Sequence, residues 1–309
     1  METQFKSLIQ VLDFFKEETT CVAYLANSRW GGEPSCPHCG NVGAYVTNRG
    51  FKCKAKECHK KFTVTTGTIF ENTKISLRTW FAAMYLCTAH KKGISSLQLS
   101  RDLNITQKTA WFVLHRIREM LLSNQGEHLT GTVEIDETYV GGATKNKSNK
   151  KRAELRATGN QYFSKTSVIA MVERESGQVK TQVIKANSVK YSDVLPLIQA
   201  NVSEDAQIFT DSSTMYGSLK HSYKHEVVNH VQKEYVRGAV HTNTIEGFFS
   251  QLKRGIYGVY HQVSTKHLGK YCNEFAYRYN TRKVSDVTRF EDAIQNINNV
   301  RLTYADLIK

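Results

Sequence analysis

Three acidic residues, Asp136, Asp211 and Glu246, stand 75 and 35 positions apart. Each falls where a folded chain can aim a carboxylate at a shared point. Asp136 lies in 132–140, an alternating β-branched stretch that reads as a strand. Asp211 ends the short apolar run 206–211. Glu246 belongs to 241–254, where Ile245, Phe248, Phe249, Leu252 and Ile256 recur at helical spacing. Asn243, Glu246, Ser250 and Lys253 then share the opposite, polar face. Carboxylate oxygens are the ligands that Mg2+ selects. Two such ions divide phosphodiester chemistry: one activates water or a 3′-hydroxyl, the other stabilises the leaving oxygen. On this reading Asp136 bridges the ions, and Asp211 and Glu246 each complete one coordination sphere. Taken singly, an aspartate at a strand end is more often a cap or turn residue. Glu137 should point to the opposite face of the strand and serve structure.

A second chemical set lies near the N-terminus. Cys36, Cys39, Cys53 and Cys58 follow C-x2-C, thirteen residues, then C-x4-C, the spacing of four thiolates around one tetrahedral Zn2+. His38 or His59 could stand in for Cys58. Four protein ligands leave no open position, so the zinc is expected to be structural. The stretches between have strand character, which makes this a zinc ribbon of about 35 residues that needs its metal for stability. Cys21, Cys87 and Cys272 are scattered and suit small core positions. The odd count of 7 cysteines, with no export signal, argues against a disulfide framework.

The elements that must position these sets follow from periodicity. Residues 4–16 predict a helix with Phe5, Leu8, Ile9, Leu12 and Phe15 on its apolar side. Ser76 predicts the cap of a helix running to His90. Over 94–122 a short helix carrying Leu97, Leu99 and Leu103, a tight turn, and a longer helix capped by Thr106 have a helix-turn-helix pattern. Ala110, Val113, Leu114, Ile117 and Leu121 should be inside. Gln107, Lys108, Thr109, His115, Arg116 and Arg118 should be outside, where they are groove- and phosphate-contacting types; a plain helical hairpin shares the pattern. Residues 143–165 hold Lys145, Lys147, Lys150, Lys151, Arg152, Arg156 and Lys165 against Glu154, and predict a mobile basic loop. Strands at 167–173 and 178–184 share a hairpin turn. A helix at 191–200, the strand 206–211, a helix at 213–220, a strand at 225–228 and a helix at 266–280 with Arg278 exposed complete the pattern. Strand, strand, strand, helix, strand, then helices is the layout of an RNase H-like domain. The expected class is multidomain α/β: zinc ribbon, helix-turn-helix, then an RNase H-like mixed sheet with flanking helices.

The 309 residues exceed one ordinary core. A net charge of +14 and a pI near 9.4 predict a polyanionic partner, DNA above all. No apolar run reaches the ~18 residues of a membrane span. The first residues lack the layout of a signal peptide, so a cytoplasmic, nucleoid-associated protein with no membrane partner is expected.

Five segments carry a resemblance: CPHC at 36–39, TGTIF at 66–70, EIDETYVGG at 134–142, TDS at 210–212 and HTNTIEGFFSQLKRG at 241–255. Together they resemble bacterial insertion-sequence transposases with a zinc ribbon ahead of an RNase H-like core, the insertion-sequence fifteen-ninety-five family, from about residue 15 to 285. The resemblance implies a DDE-type enzyme with two aspartates, an asparagine or glutamate, and a lysine. Asp136, Asp211 and Lys253 carry over directly. The third position is Glu246 or Asn243, with Glu246 favoured because a carboxylate is the better Mg2+ ligand. The resemblance further implies structural Zn2+ on Cys36, Cys39, Cys53 and Cys58, and catalytic Mg2+ or Mn2+ on Asp136, Asp211 and Glu246. It implies binding of terminal inverted repeats and target duplex, 3′-end hydrolysis, strand transfer and a homo-oligomer on DNA. Lys108, Arg116, Arg118, Lys150, Lys151, Arg152 and Arg254 are the expected DNA contacts. The expected divisions are 1–70 for the first helix and ribbon, 71–127 for the helical DNA-binding domain, 128–285 for the catalytic domain with its basic insertion, and 286–309 for a helical tail. A non-enzymatic, domesticated DNA-binding regulator and an RNase H-like nuclease are the rival readings.

Overall fold

The computed structural model describes residues 5–122, 127–142, 146–157, 165–184, 189–232 and 234–309. It separates into two units, 1–124 with 283–309, and 125–282. No helix among the described residues is long and apolar enough to cross a membrane.

The first unit opens with α1 (Leu8–Phe14) and α2 (Glu18–Trp30). Of the apolar side expected for the first helix, Phe5 and Phe15 are buried, but Ile9 stays exposed and Val11 takes the inner position. Strands β1 (Ala44–Thr47), β2 (Gly50–Cys53) and β3 (Lys61–Phe62) form the ribbon's antiparallel sheet. Its hairpin and loops bring the four cysteine sulfurs within 4.8 Å of one another. Cys36 and Cys58 Sγ are 3.9 Å apart, and Cys39 and Cys53 Sγ 3.6 Å. A tetrahedral zinc with Zn–S of about 2.3 Å separates its sulfurs by ~3.8 Å, so the cluster fits a structural zinc ion. His38 and His59 are exposed and lie outside this group.

Helix α3 (Leu77–Ala89) is the unit's spine, buried from Leu77 to Thr88 except at Arg78 and Thr79. Ser76 Oγ caps it by accepting from the Thr79 amide at 3.2 Å. A cluster of Phe5, Phe15, Phe81 and Phe290 ties it to the C-terminal helix Asp286–Gln295. That C-terminal segment, expected as a tail, is therefore part of the first unit's core. Helices α4 (Ser96–Asp102) and α5 (Gln107–Leu122) pack together across a turn at Asn104, whose φ is +50°. Ala110, Val113, Leu114, Ile117 and Leu121 are inside as their spacing predicts, but Leu97 is half exposed.

Two expected DNA contacts are corrected here. Arg116 and Arg118 are buried, as is His115. Arg116 donates to the carbonyls of Leu302, Ile69 and Glu71 at 3.0, 2.8 and 3.0 Å, with Phe112 under its guanidinium. It gathers three chain segments and is not on the outer face. Lys108 is exposed, its Nζ 4.9 Å from the Tyr304 ring centre.

The second unit is a five-stranded mixed sheet between helices. It comprises β4 (Thr132–Val140), β5 (Thr166–Glu173), β6 (Val179–Ile184), β7 (Gln207–Asp211) and β8 (Lys224–Val228), in the order β6-β5-β4-β7-β8. The first three pair antiparallel; β7 and β8 add in parallel. This is the mixed sheet of an RNase H-like core. Within the expected basic loop, residues 149–157 form a helix, α6 (Asn149–Ala157); Lys145 lies outside the described residues. Alternation sends Val133, Ile135, Ile169 and Met171 toward α7 (Tyr191–Gln199). Val168, Ala170 and Val172 face α8 (Asn243–Gly255) and α9 (Leu268–Asn280). Residues 213–220 give two short 3-10 turns in place of one helix, and a small hairpin, β9 (Val236–Arg237) with β10 (Val240–His241), precedes α8. Arg278, expected on the surface, is buried beside Glu274.

One buried carboxylate fixes α8. Glu134 is wholly buried. Its Oε2 accepts from the Ile245 amide at 3.0 Å and its Oε1 from Thr244 Oγ1 at 2.8 Å, in the first turn of α8. The Thr242 side chain at the N-cap accepts no hydrogen bond from a helix amide, so a strand residue supplies the cap. Arg174, in the β5–β6 turn, pairs with Glu134 Oε1 at 2.6 Å. It also donates to the carbonyls of Ala239 and His241, at 2.6 and 2.7 Å. The other end of α8 is seated by absence of a side chain: a Cβ on Gly255 would come within 1.9 Å of the Phe275 ring.

Replacing Glu134 by Gln should lower stability by about 3–5 kcal/mol, because it strands Arg174 in a largely dry site. Urea unfolding reads this directly, and a loss below ~1 kcal/mol would remove Glu134 as the anchor of α8. For the ribbon, Cys53→Ser is expected to abolish retention of zinc, measured as metal per chain. Proteolysis should then open 31–70 while leaving 128–282 resistant; equal zinc content in the two proteins would refute the assignment.

Candidate active site

The pairing of β4 with β7 runs parallel with Glu134 opposite Phe209. Extending that register by two residues sets Asp136 beside Asp211, at the end of β7. Ligand oxygens of Asp136, Glu137 and Asp211 all lie within 4.8 Å of one another. They open onto a cleft of about 400 Å³ that Glu246, Ser250, Lys253 and His230 also line. Helix α8 presents the expected two faces: Ile245, Phe248, Phe249, Leu252 and Ile256 are buried, while Asn243, Glu246, Ser250 and Lys253 are exposed.

Hydrogen bonds aim the carboxylates. Asp136 Oδ1 accepts from the Glu137 amide at 2.8 Å, and Asp211 Oδ1 from the Ser213 amide at 3.0 Å. The hydroxyl of Tyr216, a fully buried side chain, donates to Glu137 Oε2 at 2.9 Å. Burial and the crowd of like charges work against ionisation. Burial, then the neighbouring Glu137 and Asp211, push the Asp136 carboxyl up to about 8. Glu246 adds a smaller push in the same direction. Burial likewise raises Glu137 to about 7, against the lowering effect of the Tyr216 hydroxyl. Such a cluster suits a divalent cation, whose charge offsets both costs.

The structure corrects the role expected of Glu137. Its side chain does leave β4 toward the α7 side, where Tyr216 holds it, yet its carboxylate joins the cluster. The cause is local: β7 ends at Asp211, level with Asp136, so side chains from both faces of β4 meet past that strand end. Glu246 lines the cleft one step outside the tight group, and Asn243, one turn earlier on α8, is not among the lining residues. Ser250 lines it, as its place on the polar face implied, and His230 lines it without having been singled out by sequence. Ser250 shares the Glu246 face of α8 and was legible there, but His230 precedes a hairpin that no periodicity announces. Lys150 and Arg254 are exposed, and Arg254 Nε donates to the Ser250 carbonyl at 3.1 Å. Arg152 is half-buried, and the backbone of Lys151 lies in α6.

Comparison with known proteins bears on both chemical sets. The model of the ISXO2-like transposase domain matches residues 128–280, which contain the whole acidic cleft. The model of a transposase zinc-ribbon domain matches residues 16–61, which contain the four cysteines. A protein of Halobacterium salinarum described as an uncharacterized protein in transposable element ISH50 is 30% identical over 278 residues, spanning 85% of this chain and 91% of the relative. The cryoEM structure of a simian T-cell lymphotropic virus intasome in complex with PP2A regulatory subunit B56 gamma shares 14% identity, covering 74% of this chain and 69% of that one. Its TM-score of 0.25 is too low to bear on the fold. The two family models, in the right order and on the right residues, and the relative from a transposable element place this chain in the IS1595-type, ISXO2-like transposase family.

Proposed function

We propose that this transposase binds the ends of its element, nicks their 3′ strands by hydrolysis and joins the freed 3′-hydroxyls to target DNA. The observation that carries this reading is the meeting of Asp136, midway along β4, with Asp211, at the end of the parallel neighbour β7, beside the polar face of α8. Asp136, Asp211 and Glu246 would hold the catalytic Mg2+ or Mn2+, with Glu137 within reach of the same ions. When bound, these cations supply Lewis-acid stabilisation of the reacting phosphate and lower the pKa of the attacking oxygen. Lys253, across the cleft, holds a phosphate oxygen and offsets developing negative charge. Tyr216 keeps Glu137 oriented through its hydrogen bond. The zinc ribbon and the α4–α5 pair, with Lys108 exposed on α5, take the terminal repeats. Joining two DNA ends requires at least two copies of the chain on DNA.

Asp136→Asn and Asp211→Asn should each slow 3′-end cleavage and strand transfer of a labelled element end by at least about a thousandfold, equivalent to ~4 kcal/mol. Glu246→Gln should approach that loss and Asn243→Ala fall well short of it. Unchanged strand transfer by Asp136→Asn would overturn the assignment.

The raised carboxyls set a pH dependence. With folded pKa values above their unfolded ones, Asp136 and Glu137 favour the metal-free fold most at low pH, and that contribution is lost as pH rises through about 7 to 8. Cation binding must release those protons, so Mg2+ affinity should climb by roughly tenfold per proton released per pH unit between pH 6 and 8. Calorimetric titration at three pH values checks it, and a flat affinity would contradict linked deprotonation.

A further inference from the structure

A second, larger cleft lies along the same strand and helix as the acidic one. Its volume is about 870 Å³. Asp136 and Thr138 line the acidic cleft, and Val140, next on the same face of β4, lines the second. On the helix side, Lys253 belongs to the acidic cleft, and Ile256 and Tyr257, one turn on, to the second. Four strand residues at ~3.3 Å each place Val140 about 13 Å from Asp136, or some four nucleotide steps of B-form DNA at ~3.4 Å.

The chemistry reverses over that distance. The acidic cleft holds four carboxylates. Among the described residues lining the second, none is acidic, and Lys147 and Lys165 supply positive charge. Hydroxyls add neutral donors: Thr166 and Thr265 sit 3.1 Å apart, and Ser264 lies beside them. Tyr257 is 46% exposed, with its hydroxyl 3.4 Å from the Gly141 carbonyl oxygen at the lip. The backbone forming the wall is irregular. Helix α8 ends in a π-helical turn, Ile256–Tyr260, and His261 follows at φ +59° and ψ −52°, outside the left-handed helical basin that side-chain-bearing residues with positive φ ordinarily occupy. Such departures persist where the surrounding structure enforces them, and they concentrate at binding sites.

We infer that this cleft takes the sugar-phosphate backbone of the DNA strand a few nucleotides from the phosphate held at the acidic cluster, without reading its sequence. Lys147 and Lys165 pair with phosphates, the hydroxyls of Thr265 and Ser264 donate to phosphate oxygens, and the exposed ring of Tyr257 lies against a sugar or base. The polarity change sets the direction of the strand across the unit: cation-bridged at Asp136, lysine-bridged beyond Val140. The inference rests on the reading that the acidic cluster acts on DNA.

The test is the salt dependence of binding to a labelled 30-base-pair duplex in the absence of divalent cations, so that cleavage plays no part. Each phosphate contact contributes about 0.9 to the slope of log K against log salt. Lys147→Gln with Lys165→Gln should therefore flatten that slope by about 1.8, and each single change by about 0.9, with the melting temperature unchanged. Lys147→Arg with Lys165→Arg should restore the wild-type slope. An unaltered slope in a folded double variant overturns the inference; should the double variant not fold, the single variants decide in the same way. Asp136→Asn separates the two readings. If it remains active while the lysine variants flatten the slope, the acidic-site assignment fails and the binding cleft stands. If it is inactive while the slopes do not change, only the cleft is refuted.

Discussion

Glu134 is a charge in the one place where a protein core tolerates charge poorly, and much of the second unit is arranged to satisfy it. Its carboxylate receives a guanidinium from the β5–β6 turn, an amide and a hydroxyl from the first turn of α8, and lies 3.3 Å from His241 Nδ1. A buried ion pair seldom adds stability over a packed apolar pair; what it supplies is geometry, because only one arrangement meets every bond. Here that arrangement joins a central strand, a distant turn and a helix start. Asp136 is two residues along the same face of β4, and Glu246 is one residue beyond the amide that Glu134 accepts. The structural carboxylate thus sets where two of the cleft's acidic groups stand.

The acidic cluster is held against its own repulsion. Asp136 and Glu137 converge with Asp211 where burial and proximity oppose the ionisation of the first two, and no buried lysine or arginine among the described residues of the cleft relieves them. Lys253 stands at the exposed rim. The energy that keeps the groups together comes from the apolar layers on either side of the sheet, which are dry from Val133 to Met171 on one face and from Val168 to Phe275 on the other. This is stability given over to preorganisation: the carboxylate oxygens are held together in an arrangement that fits a divalent cation.

Much of this was legible in the amino-acid order. The two faces of α8, the strand character of 132–140 and the cysteine spacing follow from periods of 3.6 and 2 and from ligand number. These are local rules, and they hold where one element meets one environment. Reading failed where tertiary context overrides them. Glu137 obeys alternation and still reaches the site, because a neighbouring strand stops short. Residues 213–220 look helical but break into two turns that deliver Tyr216 to Glu137. Helix α2 has almost no apolar stripe to announce it, and the C-terminal helix carries no sign that it closes the N-terminal core.

The arginines show why charge alone is a poor guide to a nucleic-acid surface. A helical wheel puts Arg116 and Arg118 among polar neighbours on α5, and a basic chain invites phosphate as their partner. Arg116 instead spends its donors on three main-chain carbonyls, while Arg278 and Arg289 are also buried. A guanidinium has five donors in a rigid fork and is weakly hydrated, so it can be stripped of water and still be satisfied by carbonyls. An ammonium is strongly hydrated and is left outside more often. In this protein Lys108 is exposed on α5, the helix whose Arg116 and Arg118 are buried. On α5 the lysine and not the two arginines is open to a polyanion, so a sum of positive charge overstates what that helix can offer to phosphate.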